Sequence, residues 1–245
     1  MKRETFTSAD WLTAWEHSLT LPAALRPCAL LAPLLEEGQS AAEKLSIGQR
    51  DTYLFDLYQA LFGSELTAVV HCPACTEILE LALTTSDLRL PAASLPLTML
   101  ALEEGTYRIQ FRLPDSRDLL AISMCSDIEQ AQSLLLKSCV HSVVQGDHEL
   151  NTAELPQDVI IRLTQAMAEA DPQAVTEIAL ICPACAHAWS ETFDIAHFLL
   201  DTLGSWAERL FDQVHMLAST YGWNEADILA MSPSRRARYL ARVHA

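Results

Sequence analysis

Along this chain, stretches in which apolar residues recur every three or four positions give way to stretches in which they alternate, and the changes of period predict the elements. In "GQRDTYLFDLYQALFG", Tyr53, Leu54, Leu57, Tyr58, Leu61 and Phe62 share one face at helical spacing, so residues 50–62 are expected to be a helix that stops at Gly63. Before it, Ser8 can cap a short helix through "ADWLTAWEHSL", "LPAALRPCALLAPLL" reads as helix broken by proline, and Ser40 to Leu45 as another turn or two. After Gly63 the period falls to two. "ELTAVVHCPACTEILELAL" has β-branched residues ahead of its cysteines and alternation (Ile78, Glu80, Ala82) behind them. "TEIALICPACAHAWSETFDI" repeats the arrangement with Ile178 and Leu180, then Trp189, Thr192 and Phe193. Between the copies, "GTYRIQFRLP" alternates as a strand. "SDIEQAQSLLLKSCV" opens with a Ser126–Glu129 capping box, and Pro156 suits the first turn of a helix through "QDVIIRLTQAMAEA". In the tail, Leu199, Leu203, Trp206, Leu210, Val214 and Leu217 are three or four apart. Asn224 and Ser232-Pro233 mark two further helix starts.

The two alternating stretches hold the chemistry. Cys-Pro-Ala-Cys occurs at 72–75 and again at 182–185, each within a strand–turn–strand pattern, an internal repeat spaced 110 residues apart. A CxxC turn sets two thiolates on one side of a tight loop, and two such turns complete the tetrahedral sulfur site that structural Zn²⁺ prefers. Cys72, Cys75, Cys182 and Cys185 are therefore the expected zinc ligands, the halves of a ribbon split by a long insertion. Thr76 and Ala186 stand where a knuckle often has glycine. The competing chemistry is thiol–disulfide exchange, which needs the first cysteine at a helix N-terminus; here strand-like sequence follows each tetrad. His71 and His187 flank the turns as possible substitute ligands. Cys28, Cys125 and Cys139 are expected to be small buried residues, and His215 a packed or capping one. "DSRDLL" reads as capping carboxylates. No nucleophile–base signature, phosphate loop or HExxH appears, so an enzyme is not expected and no small-molecule substrate is implied.

Half of the 245 residues are apolar and only seven are Gly, as suits a helix-rich protein. The net charge of −16 is unevenly spread: residues 233–245 hold four Arg and no acid, so the first 232 hold twelve basic against thirty-two acidic residues, a net of −20. Such a body repels phosphate backbones, and nucleic acid is not an expected partner. No apolar run approaches the ~20 residues of a membrane helix, and no apolar segment follows the basic residues at the N-terminus, so a soluble cytoplasmic protein without membrane contact is expected.

"HMLASTYGWNEADILAMSPSRRARYL", residues 215–240, resembles the C-terminal signature of phage baseplate assembly proteins of the T-even hub type and their relatives in contractile injection systems. "LSIGQRDTYLFDLYQALFGSEL" followed by "CPAC" is similar to zinc-knuckle proteins of those systems, and the likeness touches residues 45–85, 107–120 and 174–240. It implies a non-enzymatic assembly factor or minor baseplate component that binds baseplate or hub proteins and passes from the cytoplasm into an assembled particle. The alternatives are a zinc-ribbon adaptor unrelated to injection and a CPxC oxidoreductase. Tyr221, Trp223, Arg235, Arg236, Arg238 and Tyr239 are the expected partner-binding residues, aromatic and guanidinium groups being typical of interface hot spots. The expected fold is α+β: a helical N-terminal region (1–63), knuckle hairpins at 64–85 and 174–194 forming a split zinc-ribbon core, an α/β insertion (86–173), and a C-terminal three-helix module (195–245).

Overall fold

The structure, a computed structural model, describes residues 6–90 and 99–243; residues 91–98 of the expected insertion and the extreme chain ends lie outside the described residues. Four helices come first: α1 (Ser8–Leu19), α2 (Arg26–Leu31), α3 (Gln39–Glu43) and α4 (Ile47–Phe62). Thr7, not Ser8, caps α1, because its hydroxyl accepts from the Asp10 N–H while the Asp10 carboxylate accepts from the Thr7 N–H. Pro27 and Pro33 divide the next apolar stretch into short turns, as residues without an N–H must. α4 begins three residues before the apolar spacing suggests, at a Ser46–Gln49 capping box, and ends at Gly63 with φ +90°.

Next come the hairpin β1 (Glu65–His71) and β2 (Ile78–Thr84), and the short α5 (Thr85–Leu88). β3 (Leu100–Glu104), β4 (Tyr107–Phe111), α6 (Ser116–Ile122), α7 (Ile128–Cys139), β5 (Val140–Gln145), β6 (His148–Leu150) and α8 (Gln157–Ala170) follow. A second hairpin, β7 (Thr176–Ile181) and β8 (Ala188–Phe193), leads into the 27-residue α9 (Ile195–Tyr221), then α10 (Glu225–Leu229) and α11 (Pro233–Val243). The described strands form two two-stranded antiparallel sheets and one four-stranded antiparallel sheet, ordered β3-β4-β5-β6. Helix is mixed with small antiparallel sheets, as an α+β chain requires. Asp127 rather than Ser126 caps α7, accepting from the Gln130 N–H.

The chain divides into two compact units, Glu43–Ile195 and the joined ends Met1–Ala42 with Ala196–Ala245. The larger unit has a core of its own between the four-stranded sheet and helices α7 and α8. Ile109, Phe111 and Val143 from the sheet meet Leu136, Cys139, Val159, Leu163 and Met167. Each such side chain contributes roughly 1.5–3 kcal/mol by leaving water. Arg112 forks onto Asp118 at 2.6 and 2.8 Å, and Ser138 donates to the same carboxylate. Although burial alone would raise it, the Arg112 fork and the Ser138 hydroxyl hold the Asp118 carboxyl below the ordinary carboxylate value. Asp115 caps α6, so the carboxylates of "DSRDLL" do act as caps.

Helix α4 belongs to this unit, and the units part at 42/43 rather than at residue 63. The Ile47 N–H donates to Pro114 O at 3.1 Å, Arg50 reaches Ser116, and Phe55 stacks on Phe193 with ring centroids 6.2 Å apart. The Gly48 N–H donates to the Asp171 carboxylate at 2.9 Å, and a Cβ on Gly48 would come within 2.2 Å of that carboxylate, so only glycine permits the approach. Burial pushes the neighbouring Asp51 carboxyl up to about 6, against the opposing pull of Arg50.

In the other unit, α1, α9 and α10 share a core of Leu12, Ala207, Leu210 and Leu229, edged by Trp15, Trp206 and Phe211. Arg236 corrects the expected partner-binding set. It is 2% exposed, and its guanidinium donates to Met231 O at 2.6 Å, to the Ser8 hydroxyl at 3.1 Å and to Gln213 at 3.3 Å. It therefore ties α11 to α1 and α9 and is not available on a surface. Cys28 and Cys139 are buried as expected, whereas Cys125 is half-exposed in the turn before α7. Arg236→Ala should lower stability by about 2 kcal/mol, since it removes a buried guanidinium and its hydrogen bonds to three half-buried partners, while Arg238→Ala should change it by less than about 0.5 kcal/mol. Chemical denaturation of both variants checks this, and equal effects would refute the division of labour.

Candidate metal centre

Each cysteine tetrad is the turn of a hairpin. β1 and β2 pair from Glu65↔Thr84 to His71↔Ile78, and β7 and β8 from Thr176↔Phe193 to Ile181↔Ala188. Register then leaves six residues, 72–77 or 182–187, to turn the chain. The two turns close with matching hydrogen bonds. Cys72 N–H donates to Glu77 O and Thr76 N–H to Cys72 O, both at 2.9 Å; Cys182 N–H donates to His187 O at 2.8 Å and Ala186 N–H to Cys182 O at 2.9 Å. The residue after each second cysteine is left-handed, Thr76 at φ +61° and Ala186 at φ +59°. This is the position at which glycine costs nothing and a side chain costs roughly 1–2 kcal/mol.

The two turns bring their sulfurs together. Cys72 Sγ lies 3.7 Å from Cys185 Sγ, Cys75 Sγ lies 3.6 Å from Cys182 Sγ, and all four are within 4.8 Å of one another. A tetrahedral ion with sulfur ligands at about 2.3 Å needs sulfur–sulfur edges of about 3.8 Å, whereas a disulfide would need about 2.05 Å. The spacing thus fits four ligands around a metal ion, and an all-sulfur set suits a soft or borderline cation. Cys72 and Cys182, at the strand ends, are buried; Cys75 and Cys185 are exposed. Burial would raise the Cys72 thiol, but the Cys75 and Ala74 backbone N–H groups more than offset it and hold the thiol near about 7. Cys75 has the Glu77 backbone N–H drawing it down, yet the surrounding sulfurs, Cys185 foremost, push it up to about 12.

β2 and β8, not helices, follow the tetrads, so no helix dipole acts on either first cysteine. His71 and His187 are exposed and outside the four-sulfur group; His187 stacks on Trp189 instead, with centroids 6.1 Å apart. Sequence reasoning missed Gln173. Its buried amide donates to Leu88 O at 3.2 Å and to the Thr176 hydroxyl at 2.8 Å, while its carbonyl accepts the Leu90 N–H at 2.8 Å. It thereby joins the exit of the first hairpin to the start of the second. A single glutamine in a polar stretch carries no signal of such a role.

The expected partner-binding residues lie elsewhere, in the unit formed by the chain ends. Tyr221 stacks on Trp223 with centroids 4.6 Å apart, and Tyr239 meets both edge-on at 5.9 and 4.8 Å. Arg235 lies over the Tyr239 ring at 6.0 Å, and Arg235 and Arg238 are exposed where Arg236 is buried. His215 is exposed on α9.

Because Thr76 and Ala186 hold left-handed backbone, Thr76→Gly should raise stability by about 0.5–1 kcal/mol and Ala186→Gly by somewhat less, the gain being reduced by the freer unfolded chain. Chemical denaturation measures both; a loss in either variant would show that the side chain contributes more than its backbone costs.

Among the described residues no helix is long and apolar enough to cross a membrane. Comparison with curated proteins and with solved structures finds no match to this chain. A family model described as T4 bacteriophage base plate protein matches residues 30–200, a segment that includes α4, both cysteine hairpins and the inserted sheet, while the Tyr-Gly-Trp tail lies beyond it. With most of its length and its whole sulfur site inside that match, this chain belongs to the T4 bacteriophage base plate protein family.

Proposed function

We propose that this chain is a non-enzymatic assembly factor or minor baseplate component of a phage-tail-like contractile injection system, and that Cys72, Cys75, Cys182 and Cys185 hold one structural Zn²⁺. Its partners on this reading are baseplate or hub proteins, met in the cytoplasm as the particle forms. The observation that carries the proposal is the convergence of four thiols from segments more than 100 residues apart, at tetrahedral spacing, inside the segment that matches the baseplate family. A bound ion would supply a fixed four-sulfur vertex. The chain's own residues do the rest: the hairpin turns aim the sulfurs, and Gln173 joins the two hairpins at their far ends. The strands behind the tetrads speak against thiol–disulfide exchange, and membership of a baseplate family speaks against an adaptor unrelated to such particles.

Protein purified without chelator should contain close to one zinc per chain by elemental analysis. Loading should fall as the pH is lowered, because protons compete for the same sulfurs. Cys182→Ser should lose the metal, lose on the order of several kcal/mol of stability, and fail to support particle assembly. Metal-free protein that melts like the loaded form, or a Cys182→Ser strain with a normal particle yield, would overturn the zinc assignment. Particles forming normally without the protein would overturn the assembly role.

A further inference from the structure

Helix α11 sorts four arginines between two tasks. Arg236 is turned inward on the side shared with the half-buried Leu240 and Val243. Arg235, Arg238 and Arg242 are exposed and lie at i, i+3 and i+7, one stripe along the helix. At 1.5 Å per residue the stripe is about 10 Å long. None of the ion pairs among the described residues involves these three side chains, although the first 232 residues carry a net charge of −20. Like charges at this spacing repel one another slightly, and among the described residues no carboxylate forms an ion pair with any of the three. The stripe is also firmly mounted. Tyr239 stands between its arginines and packs edge-on against Trp223 and Tyr221, Arg235 lies over the Tyr239 ring, and Arg242 donates to Arg238 O at 2.6 Å. Together with Ser232 and Ser234 these residues line an open groove.

We propose that the Arg235–Arg238–Arg242 stripe, with Tyr239 beside it, is a docking surface for a carboxylate-rich helix of another baseplate protein, one presenting Asp or Glu at the same i, i+3 or i+4, i+7 spacing. The proposal rests on the reading that this chain works among baseplate proteins. Charge complementarity is its physical basis: a guanidinium fork matches a carboxylate in two parallel hydrogen bonds, and an antiparallel or parallel helix can meet all three forks at once. Nucleic acid is a poorer occupant. Three phosphate contacts are few, and a duplex running past a 10 Å stripe would meet the repulsion of a chain whose remainder is strongly acidic. A second copy of this chain brings a further net −16 and is repelled at long range for the same reason.

The test uses the full chain in a strain that assembles particles. A photo-crosslinking amino acid at Ser234, which lines the groove without being one of its cations, should label a baseplate protein at a segment with acids at helical spacing. The R235E/R238E/R242E variant, with unchanged melting temperature and zinc content, should lose that cross-link and lower particle yield at least tenfold. Reversing the acids of the labelled segment to Lys should restore both. If the Glu variant does not fold, R235Q/R238Q/R242Q should give the same loss without charge reversal. A folded triple variant with normal particle yield, a cross-link to nucleic acid or to a second copy, or failure of the reversed partner to rescue would each overturn the proposal. A strain lacking the protein separates this from the broader reading. Particles lost there but formed with the triple variant refute the docking surface alone, whereas particles formed without the protein refute the assembly role.

Discussion

The meeting of two hairpin tips is the constraint that the rest of the larger unit is built to satisfy. Four sulfurs within 4.8 Å of one another close a loop of about one hundred residues. Closing a disordered loop of that length would cost about 4 kcal/mol in chain entropy. The chain avoids most of that cost because the insertion folds on a core of its own and returns beside its starting point. Gln173 marks the return, bonding to Leu88 and Leu90 on one side and Thr176 on the other. The tips are thus brought together by structure that does not itself involve the thiols. Any cation bound there adds a second closure at the opposite end of the hairpins.

The same constraint accounts for the unusual backbone at Thr76 and Ala186. A six-residue turn that points two sulfurs one way needs a left-handed residue after the second cysteine, and the chain adopts it with residues that resist it. Matching hydrogen bonds in both turns show that the geometry is imposed twice, independently of which side chain stands there. The result is four sulfurs within 4.8 Å of one another, two from each turn.

Helix α4 and residue Arg236 serve comparable ends in the two units. α4 touches the start of α6 through Ile47 and Arg50, the turn after α8 through Gly48, and the end of β8 through Phe55. Arg236 gathers α1, α9 and the start of α11 around one guanidinium. In both cases polar contacts join elements that are distant in the sequence, at Gly48 and Arg50 in one unit and at Arg236 in the other.

The sequence by itself determined the parts of this protein that rest on local period and spacing. Alternation on both sides of each tetrad specified two hairpins, and the duplicated CPAC spacing named the four sulfurs. The three-or-four repeat of Leu199, Leu203, Trp206, Leu210, Val214 and Leu217 specified α9, and the acid-free segment after residue 232 marked the basic helix. Tertiary structure alone decided what depends on contacts between distant residues. Arg235 and Arg236 are chemically identical neighbours, and a rotation of about 100° on one helix puts the first in solvent and the second against Ser8, 228 positions away. Gln173 became a clamp, Gly48 an obligatory glycine and α4 a member of the unit that holds the four cysteines for the same reason. Gln173 is set by a partner 83 residues away, Gly48 by one 123 away and Arg50 of α4 by one 66 away, and no local periodicity encodes such partners.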